Sequence, residues 1–249
     1  IGSAMPWKRA RISRAVKPLR YVFVLALAIG GLAYAMQTGR SLLGPIGLFL
    51  AAWIVMGTIV DFVQRAGRGP DRWSRILRLP RADWGKMVAH AGLGITMMGV
   101  CGLMALQQED IRVAQFGEPY DVGAYTLTLE KVNRYEGPNF LSTTGYVTLA
   151  QDGEVIAQLN PEKRIYPVAQ MPTTEAAIDY DLLRDVYVVI GDEQAGGGWA
   201  VRTYIKPLTN WIWIGSGLMA LGGLLSLSDR RFRVAAGARK SNAAPVPAE

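Results

Sequence analysis

The sequence predicts a membrane protein with four transmembrane α-helices and a small all-β domain, an antiparallel barrel or sandwich, between the third and fourth helices. Three observations carry this. Four predominantly apolar runs, at residues 19–38, 42–63, 85–106 and 208–227, each approach the roughly 20 residues that a helix needs to cross a hydrocarbon core about 30 Å thick. Positive charge collects beside these runs. The hundred residues between the third and fourth runs instead hold 8 Lys/Arg against 15 Asp/Glu and show the two-residue alternation of strands.

Half of the 249 residues are hydrophobic, which is too many for an ordinary soluble domain, while the charged residues are too numerous for a wholly embedded one. The net charge of +7 does not indicate nucleic acid, because the excess sits in short stretches flanking apolar runs, as membrane topology requires. The lone Cys101 excludes an intrachain disulfide and reads as a small packing residue. One cysteine and one histidine also exclude a zinc cluster. The chain opens at Ile1 with no cleavable signal peptide and reads as a fragment or processed piece.

Residues 1–18 carry five basic residues broken by Pro6 and Pro18, with Trp7 at the interface, and are expected to be cytoplasmic. The first span, 19–38, returns through the short turn Gly39-Arg40-Ser41 into the second, 42–63. Residues 64–84 form the most basic loop, with Arg65, Arg68, Arg72, Arg75, Arg78 and Arg81 opposed only by Asp71 and Asp83. The positive-inside rule makes this loop cytoplasmic and sends the third span, 85–106, outward. Residues 107–207 then lie outside, where Tyr125–Val132, Thr144–Gln151, Val186–Ile190 and Trp199–Ile205 read as strands. Asp152-Gly153 between alternating segments signals a hairpin. The fourth span, 208–227, carries Trp211 and Trp213 at its outer interface and returns the chain to a cytoplasmic tail, 228–249, ending in the Pro-rich SNAAPVPAE.

The candidate functional residue is His90, the only histidine, one helical turn past Lys86 in the third span. An imidazole at that depth must face other helices, a water-filled cavity or a bound cofactor. Gly85, Ala89, Gly92, Thr96 and Gly99 make a small-residue stripe beside it, where a neighbouring helix or a flat ligand can approach closely. If His90 ligates a metal, its other ring N–H needs an acceptor, and this segment offers only Thr96 or a backbone carbonyl. These residues leave open a cofactor-binding enzyme component, a non-enzymatic membrane scaffold and a transporter.

Several strings occur together: PWKR, AHAGLGITMMGV after the Arg-rich loop, GPNF, LNPEKRIYPVAQMPTTEAAI, LRDVYVVIGDE, WAVRTYIKPLTNWIWIG and MALGGLLSLSDRR. From about Pro6 to Arg233 the sequence resembles the carboxy-terminal portion of the CcmF family, the cytochrome c haem lyase subunit of bacterial cytochrome c maturation. The resemblance implies a multi-pass bacterial inner-membrane protein with a periplasmic domain, holding haem b with His90 as one axial iron ligand. It implies partners: a haem chaperone of the CcmE type, subunits of the CcmH and CcmI type, and the CxxCH apocytochromes c to which haem is attached. The family's second haem ligand and its tryptophan-rich haem-handling segment lie upstream, in no part of this sequence, so this stretch alone is not expected to be active. Lys163 and Arg164 of PEKR are read as a solvated charged turn.

Overall fold

The structure, a computed structural model, describes residues 19–39, 41–67 and 69–229. The basic segment 1–18 and all but the first two residues of the tail 228–249 lie outside the described residues. The chain divides into two compact units, one helical and one built of strands.

The helical unit contains α1 (Arg20–Met36), α2 (Leu43–Arg65), the short α3 (Arg72–Leu77), most of α4 (Arg81–Leu106) and most of α5 (Thr209–Leu227). Three of these, α2, α4 and α5, are long and apolar enough to cross a membrane, whereas α1 has 17 residues and is shorter. The Arg-rich segment is not all loop: α2 runs on to Arg65, α3 forms within it, and α4 already begins at Arg81. Its apolar residues explain the order, since Ile76, Leu79 and Trp84 pack with Phe62, Ala66 and Met87, and the Phe62 and Trp84 rings meet edge to face at 4.7 Å.

Glycine determines how closely the helices approach. A side chain at Gly92 would place its Cβ 2.7 Å from the Gly215 carbonyl oxygen and 2.7 Å from the Met219 nitrogen, and Gly85 meets the backbone of Gly222 and Ser226 in the same way. The small-residue stripe of α4 is therefore occupied by the stripe of α5 rather than by a flat ligand. Another face of α4 packs on α2 through Gly94 against Ala51 and Val55, and Cys101 fills the space above Gly47. Phe23 of α1 sits edge-on to Phe49 and Trp53 of α2.

The strand unit has ten strands: β1 (Gln108–Ala114), β2 (Pro119–Val122), β3 (Tyr125–Glu136), β4 (Leu141–Gln151), β5 (Glu154–Leu159), β6 (Glu162–Tyr166), β7 (Met171–Glu175), β8 (Ala177–Tyr180), β9 (Arg184–Glu193) and β10 (Trp199–Pro207). They make one sheet in the order β1-β10-β9-β8 and a second in the order β2-β3-β4-β6-β7, with β5 also on β4. All of these strand pairs are antiparallel. The alternating residues of β3 and β4 (Leu127, Leu129, Val147, Leu149) pack against those of β9 and β10 (Val186, Val188, Ile190, Val201), closing a sandwich core with no disulfide. Asp152 and Gly153, with φ of 51° and 83°, form the tight turn between β4 and β5 that alternation predicts.

The segment PEKRIYPVAQMPTTEAAI is not the solvated turn that its charges suggest. It forms β6, β7 and the start of β8, with Pro161 fully buried and its carbonyl accepting from the Gly145 N–H at 2.9 Å. The charge density of this stretch hid a strand that lies beside β4 and keeps its cations paired, Lys163 with Asp192 and Arg164 with Glu162.

Candidate functional site

α4 carries His90 one turn before Gly94, at the border of the face that packs on α2. The ring is exposed, and its Nδ1 lies 2.9 Å from the Lys86 carbonyl oxygen, one turn back. A carbonyl can only accept, so Nδ1 is the donor; in the neutral ring this tautomer leaves the lone pair on Nε2. Of the two acceptors the segment offers, the backbone carbonyl is the one used. Thr96 instead faces α5, and its hydroxyl is buried with no hydrogen-bond partner among the described residues.

The turn that supplies this carbonyl is itself anchored. Lys86 Nζ donates to Asp61 Oδ2 at 3.0 Å, Arg65 bridges Asp61 and Asp83, and so the end of α2 is tied to the first turns of α4. Asp229, buried just beyond α5, accepts from the Ala82 N–H at 3.0 Å, placing a carboxylate at the N-terminus of the His90 helix. Sequence reasoning missed both devices. The signals it could have used were an aspartate ending an apolar run at Asp61 and the serine-aspartate-arginine string after the last span.

Beyond His90 the same face of α4 presents Leu93, Met97, Val100 and Met104, at alternating spacings of three and four. Leu93, Val100 and Met104 are exposed, so an apolar strip runs along the helix from the imidazole. An imidazole held through Nδ1 by its own helix, with Nε2 outside that hydrogen bond and apolar side chains beyond it, is a donor set that suits a haem iron and an apolar macrocycle. The chain has one histidine, so it offers no second protein nitrogen of this kind.

The strand unit is pinned where it leads into α5. Leu208 adopts φ of 59°, unusual for a branched side chain, and its N–H donates to the Leu183 carbonyl at 2.8 Å. Asn210 donates to the Asp185 carboxylate at 3.0 Å and to the Asp181 carbonyl. Burial pushes the Asp185 carboxyl above its ordinary range.

Elsewhere in this unit Glu162 is the hub of PEKR. Desolvation pushes its carboxyl up, but hydrogen bonds from Arg164, Ser142 and Tyr135 together outweigh that and hold it below the usual range. A carboxyl depressed in the fold stabilises it above its unfolded pKa, and that contribution is lost as pH falls through the folded value. The urea midpoint of the strand unit should therefore drop on acidification below about pH 4, and Glu162→Gln should flatten the drop. An unchanged acid dependence in the variant would remove Glu162 from this role.

Residues 105–207 match the family model described as the CcmF C-terminal beta-sandwich, covering the ten strands. The chain is 56% identical over 248 residues to the cytochrome c-type biogenesis protein ccl1 of Rhodobacter capsulatus, covering 100% of this chain and 38% of that protein. The chain belongs to the CcmF family. It corresponds to the carboxy-terminal portion, and it is also 37% identical to CycK of Rhizobium meliloti (97% of this chain, 36% of that one) and 33% identical to CcmF of Escherichia coli (94% and 35%). It thus spans little more than a third of the curated relatives it matches. A solved structure titled cytochrome c heme lyase CcmF shares the fold, with a TM-score of 0.63 at 23% identity over 91% of this chain and 37% of that one. As a CcmF-family chain with long apolar helices, it is a multi-pass membrane protein carrying a β-sandwich domain.

Proposed function

We propose that this chain is the carboxy-terminal part of a bacterial cytochrome c haem lyase, and that His90 is an axial ligand of a haem b held in the inner membrane. The observation that carries the reading is the His90 geometry: an exposed imidazole on an apolar helix face, with Nδ1 committed to the Lys86 carbonyl and Nε2 left to coordinate. When bound there, haem b supplies a one-electron redox centre within the bilayer. The chain's own residues set its position. The Lys86 carbonyl orients the ring, the Asp61–Lys86 pair fixes that turn, and the strip from Leu93 to Met104 keeps water from the face beside it. The second axial histidine comes from the larger part of the lyase that this chain does not span.

In this reading the lyase takes substrate haem from a CcmE-type chaperone and, with CcmH- and CcmI-type subunits, joins it to the cysteines of a CxxCH apocytochrome c. The sandwich is periplasmic and the Arg-rich segment around α3 cytoplasmic, because the basic flanks and the acidic 107–207 stretch favour one orientation. An absorbance spectrum of the full-length lyase carrying His90→Ala tests the ligand assignment. Topology has its own test. A cysteine introduced at Asp152 should react with a membrane-impermeant thiol reagent from the periplasmic side, above the background of Cys101 packed on Gly47, while one at Arg72 should not. The reverse pattern excludes this orientation.

A further inference from the structure

Three helix ends are tied together where the strand unit begins and ends. The Thr38 N–H, beyond α1, donates to the Ala105 carbonyl of α4 at 3.0 Å, and the Thr38 hydroxyl donates to the Gln107 carbonyl at 2.6 Å. Leu208, just before α5, lies over the last turns of α4, where a Cβ added at Gly102 would stand 2.7 Å from the Leu208 Cδ1. α5 has 19 residues and is therefore about 29 Å long, which only just crosses a hydrocarbon core about 30 Å thick. Its first residues, Thr209 and Asn210, thus stand at the membrane boundary, and so does whatever is bonded to them.

The connection between β8 and β9 is bonded to them. The Leu208 N–H donates to the Leu183 carbonyl at 2.8 Å, and the Asn210 amide donates to the Asp181 carbonyl at 2.6 Å and to the Asp185 carboxylate at 3.0 Å. All of these residues belong to the strand unit. At this level the connection presents Leu182 and Leu183, 58% and 62% exposed, beside Tyr180 at 76%. Two consecutive exposed leucines at a loop tip are disfavoured in water and favoured among lipids.

The polar groups around the two leucines are satisfied within the loop. The Asp181 N–H donates to the Arg184 carbonyl at 2.9 Å, and Asp181 Oδ1 accepts from the N–H groups of Leu183 and Arg184 at 2.6 and 2.9 Å. The Arg184 guanidinium, its side chain 13% exposed, pairs with the carboxylates of Asp179 and Asp181. Backbone that leaves water must bring its own hydrogen-bond partners, and charge must be paired; this loop meets both conditions. Close by, Lys206 Nζ lies 4.0 Å from the Tyr187 ring and 5.2 Å from the Tyr204 ring, the aromatic and cationic grouping of a membrane interface. We propose that the β8–β9 loop is a lipid anchor, with Leu182 and Leu183 inserted into the leaflet that α5 enters and Leu208 and Asn210 holding the sandwich at that depth. This rests on α5 crossing the membrane and is independent of the haem reading.

The test places a photoreactive benzophenone side chain at Leu182, or at Tyr180, in the full-length lyase in its membrane. Irradiation should attach phospholipid at either position, read as a mass adduct on the loop peptide. The same side chain at Gly196, where an added Cβ meets no atom, lies about 30 Å away along β9 and should give little or no lipid adduct. With the probe at Tyr180, Leu182→Asp together with Leu183→Asp should cut the lipid adduct roughly tenfold. The fold should survive that change, because Leu183 meets Leu208 through its backbone, and the milder pair Leu182→Ser with Leu183→Ser should act in the same direction. A protein adduct in place of lipid at Leu182 would overturn the proposal, since a protein segment would then cover the loop. So would equal lipid adducts at Leu182 and Gly196, the absence of any adduct at Leu182, or an undiminished adduct in both double variants.

Discussion

Replacing His90 with alanine in the full-length lyase should abolish retention of haem b while leaving insertion and helix packing intact. The ring hydrogen-bonds within its own helix, to the Lys86 carbonyl, and is exposed, so no described hydrogen bond between helices is lost with it. What is lost, in the proposed reading, is an iron ligand. Haem content and cytochrome c maturation should fall together by more than about tenfold, since even losing an outer partner of a metal ligand costs about 10–100-fold. External imidazole should restore part of the low-spin spectrum, because it can supply the nitrogen that the proposed ligand site loses. A His90→Ala protein that keeps its full low-spin haem without added ligand would show that the imidazole serves only its hydrogen bond.

Gly92→Val should be among the most damaging single changes in the helical unit. A Cβ there meets the Gly215 carbonyl oxygen and the Met219 nitrogen, each at 2.7 Å, and both are backbone atoms that no rotamer change can move. The helices must separate or slide, which breaks the neighbouring contacts of Gly85 with Gly222 and Ser226. Overpacking of this kind typically costs about 1–3 kcal/mol, and the β-branched side chain adds its own strain in a close-approach stripe. The thermal midpoint of the solubilised protein should fall by several degrees. Gly217→Val on α5, where an added Cβ meets no atom within 4 Å, should leave it unchanged. Equal shifts in the two variants would deny that the crossing of α4 and α5 depends on glycine.

Much of the fold was legible because local patterns carry it. Apolar length marked α2, α4 and α5, a continuous apolar run marked β9, and alternation marked β3, β4 and β10, since a half-buried strand must send every second side chain inward. The short strands β1, β2, β6, β7 and β8 escaped, while β5 was marked only as the second strand of the Asp152-Gly153 hairpin. Several are edge strands or carry charges and prolines, so their pairing, not their side-chain pattern, makes them strands. His90 was legible as a candidate, because an ionisable group in an apolar run is costly wherever it lies.

By itself the sequence determined that apolar helices flank an acidic strand domain and that one imidazole lies within a helix, for hydropathy and period are properties of consecutive residues. Only the tertiary structure decided that the small-residue stripe receives α5 and not a ligand, that Lys86 supplies the His90 acceptor while Asp61 holds Lys86, and that Asp229 caps Ala82 from 147 positions away. The reason is physical. Close approach, ion pairing and helix capping are relations between surfaces brought together by the fold, and neither a window of sequence nor its periodicity states which surface a given face will meet.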